Sequence, residues 1–132
     1  MNIIVCLDNN RGMMFNRRRQ SRDKYLIDKI KELTANHTTW TTPYSASLFD
    51  WKISIDENML SLAKKDDFCF VENLHVQDYL SSIDKIYLFK WNRTYPADFY
   101  FDIELNEEFH LISQEDFTGN SHENITMEVW GR

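Results

Sequence analysis

Residues 68–91 read FCFVENLHVQDYLSSIDKIYLFKW, and this stretch decides the fold. Two apolar runs, Phe68–Val71 and Lys85–Trp91, flank a polar segment. Neither run alternates apolar with polar, so both predict strands buried on two faces. The segment between them predicts a short helix over His75–Ser82. A strand, a helix and a strand in that order imply a parallel pair joined by a crossover. Asn2–Leu7 (NIIVCL) is a third run of the same kind. It is followed by Asp8-Asn9-Asn10-Arg11-Gly12, residues that tolerate the left-handed backbone of turns.

Working outward, Ser21 reads as the N-cap of a helix that reaches about Ala35, with Tyr25, Leu26, Ile30 and Leu33 on one face. Thr38–Thr41 predicts a short strand, Tyr44–Phe49 a short helix behind Pro43, Trp51–Ile55 a weak strand, and Glu57–Ala63 a helix capped by Asp56. Met13-Met14-Phe15 is apolar but short and reads as part of a loop over a pocket. Asn16–Arg19 reads as polar loop. The chain closes with two strands, within 108–115 and 124–131, paired as an antiparallel hairpin. The expected architecture is α/β: residues 1–132 as one domain, a mostly parallel central sheet with helices on both faces, and a C-terminal antiparallel hairpin.

Composition narrows the function classes. Of the 132 residues 42% are hydrophobic and 14% aromatic, with only three Gly and two Pro, which excludes disordered and collagen-like chains. No apolar run approaches the length of a membrane span. The apolar N-terminus is short, lacks a basic flank and reads as a strand rather than a signal peptide. Cys6 and Cys69 lie in apolar runs without CxxC spacing, the pattern of reduced, buried thiols in a cytoplasmic protein.

Charge is unevenly placed. The net charge is −6, yet residues 11–31 hold eight bases and two acids. The acidic remainder argues against wrapping duplex nucleic acid. The run Asn16-Arg17-Arg18-Arg19-Gln20-Ser21-Arg22 leads into a helix start, and arginine forks with free N–H groups attract phosphate. Open α/β sheets bind ligands beyond the carboxyl ends of their strands, which places Glu72 and Asn73 opposite this loop. The candidate ligand-binding residues are Asn10, Arg11, Arg17, Arg18, Arg19, Arg22, Glu72 and Asn73. The ligand class is a phosphorylated small molecule such as a nucleotide, or single-stranded RNA. The opposing account is a solvated loop, or one pinned by acids such as Glu72 and Glu115.

Other groups carry less. Asn120-Ser121-His122-Glu123 sets a His beside a carboxylate, a general-base pairing, although sequence neighbours diverge and a turn is the simpler account. Asp66 and Asp67 suit a turn better than a Mg²⁺ site. No catalytic set, metal site or cofactor is called for by these residues. Trp51 and Tyr95–Phe101 have a loop-like context that leaves an apolar patch, and a bare sheet edge invites pairing, so a homodimer is expected.

Several segments together resemble dihydrofolate reductase in shortened form: IIVCLDNNRG, IKELTANHTTW, FVENLHVQDYLSSIDKIYLF and the arm from Ala97 to Arg132. The resemblance implies that family's fold, with the 9–22 loop over the substrate cleft and a cofactor crossover at 70–89. The departures imply a non-reductase. Two glycines that admit cofactor phosphates are replaced by Glu72 and Asn73. The Gly-Arg-x-Thr run is replaced by Thr42-Pro43-Tyr44-Ser45. Between Ser47 and Asp56 there is no room for the two adenine-side strands. The family's acidic residue on the substrate helix falls near Leu26, between Asp23 and Asp28.

The chain also resembles small bacterial proteins that carry the name ribonuclease Z. Zinc phosphodiesterase chemistry needs a clustered His-x-His-x-Asp-His set. The four histidines here, His37, His75, His110 and His122, lie no closer than 12 residues apart. The reading that follows is a binding or regulatory module for an anionic ligand at the arginine-rich loop. The alternatives are a phosphodiesterase or RNA-acting enzyme, an interaction or dimer module, and an NADPH-dependent reductase.

Overall fold

The computed structural model describes residues 1–132. One sheet of seven strands crosses the molecule: β1 (Asn2–Leu7), β4 (Thr39–Thr41), β5 (Ser54–Ile55), β6 (Phe68–Phe70), β7 (Lys85–Lys90), β9 (His110–Phe117) and β10 (Ile125–Gly131). Their spatial order is β5-β4-β6-β1-β7-β10-β9. The first five strands in that order run parallel. β10 then pairs antiparallel with β7 and with β9. This is the expected α/β architecture.

The doubly apolar runs sit at the centre because both faces are covered. Ile3, Val5 and Leu7 point to one side with Cys69, Val71, Ile86 and Leu88. Ile4 points to the other with Phe68, Phe70 and Phe89. That alternation is the two-residue period of a strand. On the second side lies α1 (Lys24–Leu33), which buries Leu26 and Ile30. On the first lie α2 (Met59–Leu62) and a 3-10 turn at Gln77–Ser82.

A second, small sheet was not expected. β2 (Gly12–Phe15) pairs with β3 (Arg18–Arg19) and with β8 (Phe99–Tyr100). Met13 and Met14, read as loop, are buried strand residues in the main core. Arg18-Arg19, also read as loop, is the return strand. Asn16 and Arg17 link them with φ of 51° and 61°. Two successive positive φ angles make a primed two-residue hairpin, which needs no glycine when its first residue is Asn. The short runs were ambiguous because three or four residues carry too little periodicity.

Helix limits also shift. Asp23, not Ser21, is the N-cap of α1, its carboxylate accepting from the N–H groups of Tyr25 (2.9 Å) and Leu26 (3.3 Å). The helix ends at Leu33 rather than Ala35. The segments 44–49 and 75–82 form only 3-10 turns, at Ala46–Leu48 and Gln77–Ser82. A four-residue helix α3 (Leu105–Glu108) precedes β9. No helix is long and apolar enough to cross a membrane.

Candidate functional site

The parallel strands β4, β6 and β1 bring Thr42, Glu72 and Asp8 to one end of the sheet. Asp8 is buried and organises the loop that follows β1. Its carboxylate accepts from the N–H of Asn10 (2.8 Å) and Gly12 (2.7 Å), from Gln20 Nε2 (3.1 Å) and from the N–H of Tyr95 (3.1 Å). A carboxylate at a strand end with four donors ties three loops together.

Two of the eight candidate residues are internal struts. Arg19 grips Glu72 with Nε at 3.0 Å from Oε2 and Nη2 at 3.0 Å from Oε1. Ser45 Oγ donates to Glu72 Oε1 at 2.7 Å, and the guanidinium lies 4.9 Å over the Tyr44 ring. The bond to Glu72 raises the Arg19 pKa from its ordinary value, against the opposing effect of burial. Burial first, and the Glu72 charge second, push the Cys6 thiol well up. Arg11 is likewise engaged: it donates to the carbonyls of Phe101 and Ile103, and to Glu104 Oε1 at 3.0 Å. Pinning by an acid is therefore the arrangement at Arg19 and Glu72. Glu115 instead pairs with Lys29 at 2.8 Å.

The remaining candidates separate. Asn10 is exposed in the turn after β1. Arg17, Arg18 and Arg22 are exposed and form no ion pair. Arg17, at the hairpin tip, joins Asn73 in a cleft of about 480 Å³ with Met14, Tyr44, Asp98 and Phe99. Asn73 Oδ1 accepts from Thr42 Oγ1 at 3.0 Å. Arg18 lies in a second cleft with Phe15, Tyr95 and Pro96, and Arg22 in a third with Asp28 and Asp50. The space between α1 and the strand ends, bordered by Cys6, Leu26, Phe70 and Glu72, is nearly filled, at about 10 Å³.

One cluster escaped the sequence reading. His122 does not work with Glu123, which is exposed. Its Nδ1 lies 2.9 Å from Asp23 Oδ2, and both side chains are buried, at 2% and 0% exposure. Asp23 also accepts from the N–H groups of Asn120 (2.9 Å) and Ser121 (2.8 Å). Burial alone would raise the Asp23 pKa. The hydrogen bonds from Asn120, His122, Ser121 and Leu26 outweigh it and hold the carboxyl well below the usual range. An ionised carboxylate only accepts, so Nδ1 carries a proton, and in the neutral form of the ring Nε2 is the acceptor. Ser21 Oγ stands 2.9 Å from Nε2, Tyr95 OH 3.3 Å, and the ring stacks on Trp91 with centroids 4.6 Å apart. The partners lie 99 residues apart in sequence, and no local pattern announces such a pair.

The other polar groups are structural. Asp67 accepts from Trp40 Nε1 at 3.0 Å and from the N–H of Lys64 at 2.9 Å, and Asp66 turns the chain with φ of 72°. No group of three or more His, Cys, Asp and Glu side chains is placed to hold a metal ion. Trp51 packs edge-on against Phe49 at 5.1 Å.

No protein-family profile matches the sequence, and no curated protein matches it. Solved structures do. A dihydrofolate reductase from Enterococcus faecalis, complexed with NADP(H) and RAB-propyl, superposes with a TM-score of 0.73. It shares 11% identity, and the match covers 99% of this chain and 95% of that one. The fold is therefore dihydrofolate-reductase-like, and at this identity the likeness speaks for the fold alone.

Proposed function

We propose that this chain binds a small anionic ligand bearing an aromatic ring, a nucleotide, in the cleft between the β2–β3 hairpin and the carboxyl ends of β4 and β6. The observation that carries this is the meeting of an unpaired cation, Arg17, with two rings, Tyr44 and Phe99, each covered on one face by Arg19 and His75 respectively, and with the Asn73 and Asp98 side chains, in one cleft of about 480 Å³. That volume is within the range of small-molecule sites. A guanidinium fits a phosphate, and ring faces fit a base. The similar Enterococcus faecalis enzyme was solved with NADP(H), so a nucleotide on this scaffold has a precedent. The reading is of binding without hydride transfer. Where the resembling family has two glycines, this chain places Glu72, locked to Arg19 and Ser45, and Asn73. Those side chains bar the close backbone approach that a dinucleotide cofactor's pyrophosphate makes at glycines, while the Glu72 charge is taken up by Arg19.

The test is thermal unfolding with ATP, GTP, NADPH, a folate, polyphosphate and a short RNA. A ligand at 100 times its Kd adds about 2.7 kcal/mol, a shift of several degrees for a domain of this size. A shift with ATP or GTP that Arg17→Ala removes supports the reading. Silence with every nucleotide, or a shift untouched by Arg17→Ala, overturns it. A shift needing NADPH and a folate together favours a reductase, and cleavage of the RNA favours an RNA-acting enzyme.

A second reading, association of two copies, is favoured by edge strand β9. Its outer side is open, and Leu111 and Ile112 are 45% and 57% exposed. An open strand edge is a template for pairing, and here the two apolar residues lie at its start, ahead of Gln114, Glu115 and Asp116. A sedimentation mass of one chain at micromolar concentration removes this reading.

A further inference from the structure

We propose that Ser21, His122 and Asp23 form a nucleophilic centre that cleaves small carboxylic esters. Ser21 sits just before α1, a position that suits a helix cap, yet Asp23 caps the helix and leaves Ser21 Oγ free of that duty. The single hydrogen bond of Ser21 Oγ goes to His122 Nε2, at 2.9 Å. On the far side of the ring, Nδ1 meets the buried Asp23 carboxylate at 2.9 Å. The ring is held flat by Trp91. A hydroxyl on the acceptor nitrogen of an imidazole, with a buried carboxylate on the donor nitrogen, is the geometry that activates a serine.

A purely structural clamp between α1 and the 118–124 loop accounts for Asp23, Asn120 and Ser121. It does not require a half-exposed hydroxyl on Nε2, because Tyr95 OH already stands 3.3 Å from that atom. The main-chain N–H of Arg22, the residue next to Ser21, bonds to no protein group. It is the candidate for stabilising negative charge beside the nucleophile. Ser21 itself borders the nearly filled space beside Phe70 and Trp91, and the open cleft of about 430 Å³ next to it is lined by its neighbours Arg22, Asp23, Asn120 and Ser121 together with Asp28 and Asp50, so only a small, uncharged ester fits there.

The reaction balances with water alone. Ser21 Oγ bonds to the ester carbonyl carbon while its proton passes to His122 Nε2 and the carbonyl π pair moves to oxygen. The oxyanion re-forms the carbonyl, the bond to the alkoxy oxygen breaks, and the leaving alcohol takes the proton from Nε2. Water then attacks the acyl-serine, its proton passes through Nε2 to Ser21 Oγ, and a carboxylic acid departs. Asp23 touches no reacting atom and acts as a positioning residue.

The experiment pairs p-nitrophenyl acetate hydrolysis with labelling by a fluorophosphonate, located by mass spectrometry. The expected result is an adduct on Ser21 and a fall in kcat/KM of about 100-fold or more in Ser21→Ala. Ser21→Ala removes one oxygen from a half-exposed site, and an unchanged Tm shows that the loss is not unfolding. Should that variant unfold, the labelling of the unaltered protein decides alone. No adduct on Ser21, or hydrolysis that persists in a folded Ser21→Ala variant, overturns the proposal. A nucleotide-binding result does not bear on it, since Arg17 and its cleft take no part.

Discussion

Replacing Asp23 with Ala tests how far one buried carboxylate holds this fold together. The loss can be summed from its partners. The helix cap is worth about 1 kcal/mol. His122 Nδ1–H loses its buried carboxylate partner and keeps only Ser121 Oγ at 3.2 Å, at about 1–3 kcal/mol. The N–H groups of Asn120 and Ser121 lose charge-assisted bonds but reach water, at about 0.5 kcal/mol each. The total is about 4 kcal/mol, a large share of the 5–15 kcal/mol typical of a domain. Asp23→Asn keeps the cap acceptor and the shape but loses the charge, and is expected to cost about 2 kcal/mol. The assay is urea unfolding followed by tryptophan fluorescence, with Trp91 stacked on His122. Its pH dependence supplies the sign. The folded pKa of Asp23 is depressed, so below the unfolded value of about 3.9 the unfolded chain binds the proton first. Stability is full above about pH 4 and falls as the pH drops further, and Asp23→Asn flattens that fall. A loss below about 1 kcal/mol in Asp23→Ala at unchanged m-value refutes the reasoning.

Three further outcomes follow from the same contacts. Glu72→Gln weakens a nearly buried pair whose Glu72 and Arg19 side chains are 9% and 21% exposed, and should cost about 2–3 kcal/mol, while Arg19→Met with Glu72→Met together costs less, both read by urea unfolding. Gly12→Ala would set a Cβ 2.6 Å from Ala97 Cβ and 2.7 Å from Gln20 Nε2, so Tm should drop by the equivalent of about 1–3 kcal/mol; an unchanged Tm would show the loop gives way freely. Burial pushes the Cys69 thiol up to about 12, so a disulfide reagent should modify it at the rate the protein opens; fast labelling in native buffer contradicts its burial.

The central sheet was legible because apolar runs carry their own instruction. Asn2–Leu7, Phe68–Phe70 and Lys85–Lys90 are apolar on both faces, and only the middle of a covered sheet removes both faces from water. α1 was legible from Leu26 and Ile30 on one face, and β10 from its apolar run. The β2–β3–β8 sheet was not, since strands of two to four residues have no readable period and form only where the core already waits for Met13 and Met14. The arginine run was visible as charge, but its fate was not. Arg19 is bound because β6 delivers Glu72 to it, Arg11 because the 101–104 arm passes over it, and Arg17 is free because a primed turn lifts it clear. Asp23 and His122 looked like an ordinary helix acid and a loop histidine. By itself the sequence determined which segments must be buried, since burial follows from each segment's own composition. Only the tertiary structure decided which polar side chains meet, because a hydrogen bond or ion pair depends on angstrom-scale placement of residues that the chain keeps far apart.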